Sequence, residues 1–194
     1  MRRLLFLLML ALPLRTAAQT PTAPELLQRM TAAFRAMPAY EVQFALAGAG
    51  GERVEGRFAV EGENYYIALP DAEVFGTDAL RYEVDHRRRE TVIAPVEHDT
   101  ANLLSDPPHA FEFVASQYDA TLEAENRLLL RPAQRREASI RLTLDPKTHL
   151  PASIRYELED AAIAVTIRSV APLAAPLPTY DRRATADYET IDFR

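Results

Sequence analysis

Glu52 to Leu69 reads ERVEGRFAVEGENYYIAL. In an extended chain Val54, Gly56, Phe58 and Val60 fall on one side, and Glu55, Arg57, Ala59 and Glu61 on the other. This period-two alternation marks a strand with one buried face. Gly62 suits a tight reversal, because glycine reaches positive φ without steric cost. A second strand, Asn64 to Leu69, then returns along the first. The hairpin carries no chemistry of its own, but it fixes the class: a sheet with one apolar face.

The same alternation continues on both sides of the hairpin. Upstream it picks out Val42, Phe44 and Leu46; downstream it picks out Leu80, Tyr82 and Val84, then Thr91 to Ile93. The second half gives strands over Ala120–Ala124, Arg127–Arg131, Ser139–Leu144, Ala152–Leu158 and Ile163–Val170. Between them, Asp145-Pro146-Lys147-Thr148 is a turn: aspartate accepts backbone hydrogen bonds and proline presets φ. About ten strands with short turns predict a mostly β, α+β fold, a strongly curved antiparallel sheet or open barrel.

Two segments depart from strand patterning. Thr22-Ala23-Pro24-Glu25 has the form of a capping box, with Leu26, Met30, Ala33 and Met37 following at helical spacing and Pro38 ending the helix. Glu97 to Phe113 carries Asn102-Leu103-Leu104, then Asp106-Pro107-Pro108, then Ala110-Phe111-Glu112-Phe113. The prolines forbid a central strand, so short helical turns are expected on either side of them, packed over the sheet. His86-Arg87-Arg88-Arg89 is a charged turn, open to solvation or to docking of an acidic partner or lipid headgroups.

At the start, Arg2 and Arg3 precede an apolar run, Leu4 to Leu14, and small residues follow at Thr16-Ala17-Ala18. This is the pattern of a secretory signal peptide over residues 1–18, with an apolar run too short to span a bilayer. It predicts a periplasmic protein, with residues 19–194 forming one domain. Losing Arg2, Arg3 and Arg15 takes the formal charge from −6 to −9. Such an acidic domain is a poor phosphate-backbone binder, so nucleic acid is not an expected partner. Without cysteine there are no disulfides, thiolate nucleophiles or cysteine-bound metals.

Catalytic patterns are missing from the sequence. His86, His98, His109 and His149 show no helical ligand spacing, and Glu97-His98-Asp99 are mere neighbours. No serine lies in a G-x-S-x-G elbow, and there is no phosphate-binding glycine loop. Neither enzyme activity, a cofactor nor a metal is expected.

The order of capped helix, GRFAVEGENYYIALP (Gly56–Pro70), LDPKTHLP (Leu144–Pro151) and the final DYETIDFR resembles the periplasmic outer-membrane lipoprotein carrier family, the LolA-like proteins. The resemblance covers nearly the whole chain after the leader. It implies an unclosed antiparallel barrel under a helical lid, and a monomer that holds lipoprotein or other lipid acyl chains. It also implies loading by inner-membrane release machinery and unloading to an outer-membrane acceptor. The family's Asp-Gly turn appears here as Phe75-Gly76-Thr77-Asp78, and its tryptophan gives way to Leu80 and Tyr82. The arginine that latches the lid in well-known carriers aligns near Gly62 or Glu63, which implies a looser lid.

On that reading, strand parity nominates Phe44, Phe58, Val60, Leu80, Tyr82, Ile140, Leu142, Ile154, Tyr156, Val165 and Ile167 as the cavity wall. Leu26, Met30, Phe34, Leu103, Leu104 and Phe111 are the lid candidates. The alternatives are that these residues fill a solid core, and that the chain is a regulatory module of the same fold that senses lipoproteins or binds a protein.

Overall fold

The computed structural model describes residues 21–48, 50–96, 106–133, 138–157 and 162–194. The expected leader, Leu103, Leu104 and the turn before the Pro-Pro step lie outside them. Helix α1 (Ala23–Arg35) opens the described chain. Its capping box is formed: Glu25 accepts from the Thr22 backbone N–H at 2.7 Å, and the Glu25 N–H donates to Thr22 Oγ1 at 3.4 Å. These bonds satisfy amides that a helix start leaves without partners, and the Thr22 N–H and hydroxyl, both donating to the Glu25 carboxyl, hold it below its usual pKa. The helix ends before Pro38, as the sequence predicts.

Among the described residues twelve strands form one sheet. They are β1 (Ala39–Ala47), β2 (Arg53–Glu61), β3 (Asn64–Leu69), β4 (Ala72–Gly76), β5 (Leu80–Asp85), β6 (Glu90–Pro95), β7 (Tyr118–Ala124), β8 (Arg127–Pro132), β9 (Ser139–Leu144), β10 (Pro151–Glu157), β11 (Ala162–Pro172) and β12 (Glu189–Asp192). Their order is β12-β6-β5-β4-β3-β2-β1-β11-β10-β9-β8-β7. Two antiparallel meanders are thus joined where β1 pairs with β11, and the sheet stays open at β12 and β7. The unclosed, curved sheet with helices over one face is the open antiparallel barrel with a helical cover that the sequence predicts.

The sequence predicts about ten strands, and the two additions are β4 and β12. The first is a five-residue strand between β3 and β5, and the second pairs in parallel with β6. The β2–β3 reversal is as expected, with Glu61 opposite Asn64 and Gly62 at φ 60°. The Asp145 turn also forms: its Oδ1 accepts from the Lys147 and Thr148 N–H groups at 2.9 and 2.8 Å, which lowers its pKa. Beyond Pro107-Pro108 the expected helical turn is a full helix, α2 (Ala110–Gln117).

The core lies between the inner face of the sheet and the two helices. From α1 come Leu26, Leu27, Met30 and Phe34; from α2 come Ala110, Phe111 and Val114. The sheet contributes Val42, Phe44, Phe58, Tyr65, Ile67, Leu128, Leu130 and Leu144 among others. Charged pairs line the outer face of the sheet: Arg57 meets Glu41 at 2.7 Å between β2 and β1, and Arg141 of β9 bridges Glu123 and Glu157.

Candidate functional site

Nine of the eleven nominated wall residues converge on this interior. Phe44, Phe58, Val60, Ile140, Leu142, Ile154 and Val165 are buried there, and Tyr156 and Ile167 pack at its margin. Cross-strand pairing explains the convergence. Phe44 lies opposite Ile167, Leu142 opposite Ile154, and Ile154 opposite Val165, so alternation on each strand delivers the same face. The lid candidates Leu26, Met30, Phe34 and Phe111 meet the wall from above.

Leu80 and Tyr82 do not join them, and their assignment to the inner wall is corrected here. Ala59, Tyr66, Phe75, Tyr82 and Ile93 are successive cross-strand partners, one position out of step with the inner row Phe58, Ile67 and Val74. On β5 the inner face carries Arg81, Glu83 and Asp85 instead. Tyr82 belongs to an outer aromatic cluster: its ring stacks on Tyr180 at 4.5 Å, and Tyr180 also approaches Phe75 at 6.0 Å. The tail between β11 and β12 therefore covers the outer face of β3–β6. The charged turn holds that tail: Arg89 pairs with Asp187, and His86 meets Tyr188 at 3.0 Å and Glu73 at 3.1 Å.

The interior is filled by its own cover. Phe34 and Phe111 stack with centroids 4.3 Å apart and planes 14° from parallel. Beneath α2, a space bounded by Ala110, Phe111, Val114, Leu130, Ile140, Leu142, Ile154 and Tyr156 holds only about 10 Å³. Another, between Phe34, Val42, Phe58, Phe111, Ile167 and Val170, has no room for a water molecule. At the far end of α1 a cleft of about 200 Å³ opens between Thr31, Phe34, Arg35, Met37, Tyr40, Val60, Gly62, Pro108, Phe111 and Glu112. Its floor is apolar, and burial pushes the Tyr40 phenol well above its ordinary pKa.

Polar contacts flank this cleft. Arg35 on α1 meets Glu112 on α2 at 2.8 Å. His109, at the start of α2, meets Glu63 of the β2–β3 turn at 2.9 Å through Nε2 and the buried Asp106 at 3.0 Å through Nδ1. Ligand spacing in the sequence gives no reason to single out His109. Its partners come from its own turn and from a hairpin more than forty residues away, which no local motif encodes. The two carboxylates sit on opposite ring nitrogens, so the three groups do not converge on one point. Among the described residues no cluster suited to a metal ion is found, and no helix is long and apolar enough to cross a membrane.

No protein-family model matches this sequence, and no curated protein is similar enough to it to stand as a relative. Solved structures do share its fold. An uncharacterized conserved protein from Thermus thermophilus aligns over 88% of this chain and 98% of its own, with 12% identity and a TM-score of 0.56. MucB, in the Pseudomonas aeruginosa MucA/MucB complex, aligns over 80% of this chain with 19% identity and a TM-score of 0.50; this chain spans 58% of its length. A LolA superfamily protein from Nitrosomonas europaea aligns over 80% of this chain and 96% of its own, with 9% identity and a TM-score of 0.44. What the first two of these structures share with this chain is the fold.

Proposed function

We propose that this chain is a periplasmic carrier that holds lipoprotein or other lipid acyl chains between the sheet and its two helices and shuttles them toward the outer membrane. The observation that carries this reading is the composition of the interior. An apolar sheet face meets two helices through apolar side chains, and ion pairs stand at the rim of the cleft. Such a space selects for hydrocarbon, and each buried methylene contributes about 0.8 kcal/mol. The wall is Phe44, Phe58, Val60, Ile140, Leu142, Ile154, Tyr156, Val165 and Ile167, and Leu26, Met30, Phe34 and Phe111 give way to the cargo. The sequence pattern of residues 1–18 supports export, and the resemblance supports loading and unloading partners at the two membranes. Native mass spectrometry of the protein purified from a periplasmic extract tests the reading. Bound acylated species are expected, and a protein that neither retains nor takes up any refutes it.

The likeness to MucB favours a second reading, a periplasmic regulatory module that grips a protein, because that neighbour's fold is seen in complex with MucA. Co-purification of one stoichiometric protein partner in place of lipid selects this alternative.

A further inference from the structure

One side chain borders the cleft and both tight spaces. Phe111 lines the opening beside Arg35, the space under α2 that ends at Tyr156, and the space between Phe34 and Val170. Among the described residues nothing else bounds all three. The spaces differ in chemistry along the line they define. The outer one has Thr31, Arg35 and Glu112 among its walls, whereas the space under α2 is walled by apolar side chains and one tyrosine.

We propose that these spaces are segments of a single acyl-chain channel that the Phe111 ring divides. The proposal rests on the carrier reading and sharpens it. The occupant is one acyl chain: its carbonyl head stays in the cleft at the Arg35–Glu112 rim, and its hydrocarbon passes under α2 toward Leu142 and Tyr156. Three observations support this order. Of the three spaces only the cleft, at about 200 Å³, is already open, so entry begins there. Of the three, only the cleft offers a cation for a carbonyl or carboxylate oxygen. Thr31 Oγ1 on its wall is shut from solvent and has no hydrogen-bond partner among the described residues.

Phe111 is an effective stopper because it is held by stacking rather than by covalent or polar ties. Its ring rests on Phe34 and is 8% exposed. A chain one methylene wide can replace one ring, since both present apolar surface to the same neighbours. The closed state lowers apparent affinity by the fraction of molecules whose ring is withdrawn, and removing the ring abolishes that penalty.

The test is a titration of full-length processed protein with palmitate, and with its methyl ester to distinguish a free carboxylate from an acyl ester. The chain has no tryptophan, so in Phe111→Trp all indole emission reports position 111. Saturable red-shifting of that emission with palmitate is expected. Phe111→Ala should bind a fluorescent fatty acid about tenfold more tightly than the unaltered protein. Val114→Ala, which touches only the space under α2, should change affinity far less. If the unaltered protein binds palmitate but Phe111→Trp emission stays constant, the channel is wrong while the carrier reading stands. Equal gains from Phe111→Ala and Val114→Ala have the same meaning. If no acyl probe binds any form, both fall. Should Phe111→Ala not fold, the Phe111→Trp titration decides alone.

Discussion

His109 is held between two carboxylates, with Glu63 2.9 Å from Nε2 and Asp106 3.0 Å from Nδ1. A carboxylate accepts hydrogen bonds and cannot donate them, so both contacts are hydrogen bonds only when both ring nitrogens carry protons, as in an imidazolium. Burial opposes that charge, but Asp106, Glu63 and Glu112 outweigh it and raise the His109 pKa above its ordinary 6.5. Arg35 neutralises part of the field through Glu112, and the Tyr65 phenol lies near Asp106.

A raised pKa fixes the sign of the pH dependence. The clasp between α2 and the β2–β3 turn is complete below the unfolded value, and it is lost as pH rises through the folded one. Amide exchange in Ala110–Gln117, corrected for intrinsic rate, should be faster at about pH 8 than at about pH 6. His109→Gln should abolish that difference. A pH-independent ratio in the unaltered protein rules the clasp out.

Gly76 is demanded by Tyr65. A Cβ at Gly76 would fall 2.1 to 2.5 Å from three Tyr65 ring atoms, and Tyr65 is 1% exposed in the core with no room to retreat. Gly76→Ala should therefore cost about 1–3 kcal/mol, the range for overpacked cores, and lower the melting temperature by several degrees. Gly48→Ala, where an added Cβ meets nothing within 4 Å, is the control.

Phe58 is 2% exposed and packs its ring 6.0 Å from Phe44 and 6.3 Å from Tyr40. With the interior closed, a carboxylate there has neither water nor a partner. Phe58→Glu should unfold the chain, as judged by circular dichroism, and Phe58→Ala should cost about 3–5 kcal/mol. A folded Phe58→Glu protein would mean that the interior opens to water around this ring.

Alternation made most of the inner wall legible, because strands β1, β2 and β9–β11 each turn an alternating apolar set inward, whereas β8 buries Leu128, Leu129 and Leu130 in a row and gives no such signal. It misled at β5, where Leu80, Tyr82 and Val84 form as clear an alternating set. Parity says which residues share a face, and only the neighbouring register says which face it is. That register passes through β4, a five-residue strand too short to declare itself. The outer face of β5 is apolar because a tail returns over it, and Pro172 to Pro178 gave no sign of where it goes. The α1 cap, Gly62 and Asp145 were legible because each acts within four residues. His109 was not, because its partner on the hairpin is distant in the chain.

The outer cluster has its own expected behaviour. Tyr180 stacks on Tyr82, and such pairs contribute about 0.5–1.5 kcal/mol beyond the area they bury. Tyr180→Ala should loosen the tail, so that limited proteolysis cuts between Pro178 and Tyr188 before the sheet unfolds. Because Tyr82 faces away from the interior, Tyr82→Ala should leave acyl-probe affinity unchanged. A large loss of affinity in Tyr82→Ala would place the ligand on the outer face.

The remaining prediction concerns how cargo leaves. On the carrier reading the cover has to move for cargo to leave, which requires α1 and α2 to be less stable than the strands beneath them. Their attachments permit this. Each buried lid side chain contributes about 1.5–3 kcal/mol, and the ion pair that joins the helices, Arg35–Glu112, is exposed on both sides and adds at most about 1 kcal/mol. Strands β1 and β2, by contrast, are bonded on both edges and can open only with the sheet. Amides of Leu26–Phe34 and Ala110–Gln117 should therefore exchange faster than those of Val42, Phe44 and Phe58, as low-stability elements do. Palmitate should slow exchange in β1 and β2 little and change it markedly in both helices, because the chain replaces Phe111 on Phe34 and alters what holds each helix down. If both helices exchange as slowly as the central strands with and without palmitate, they are fixed core, and the carrier has no lid.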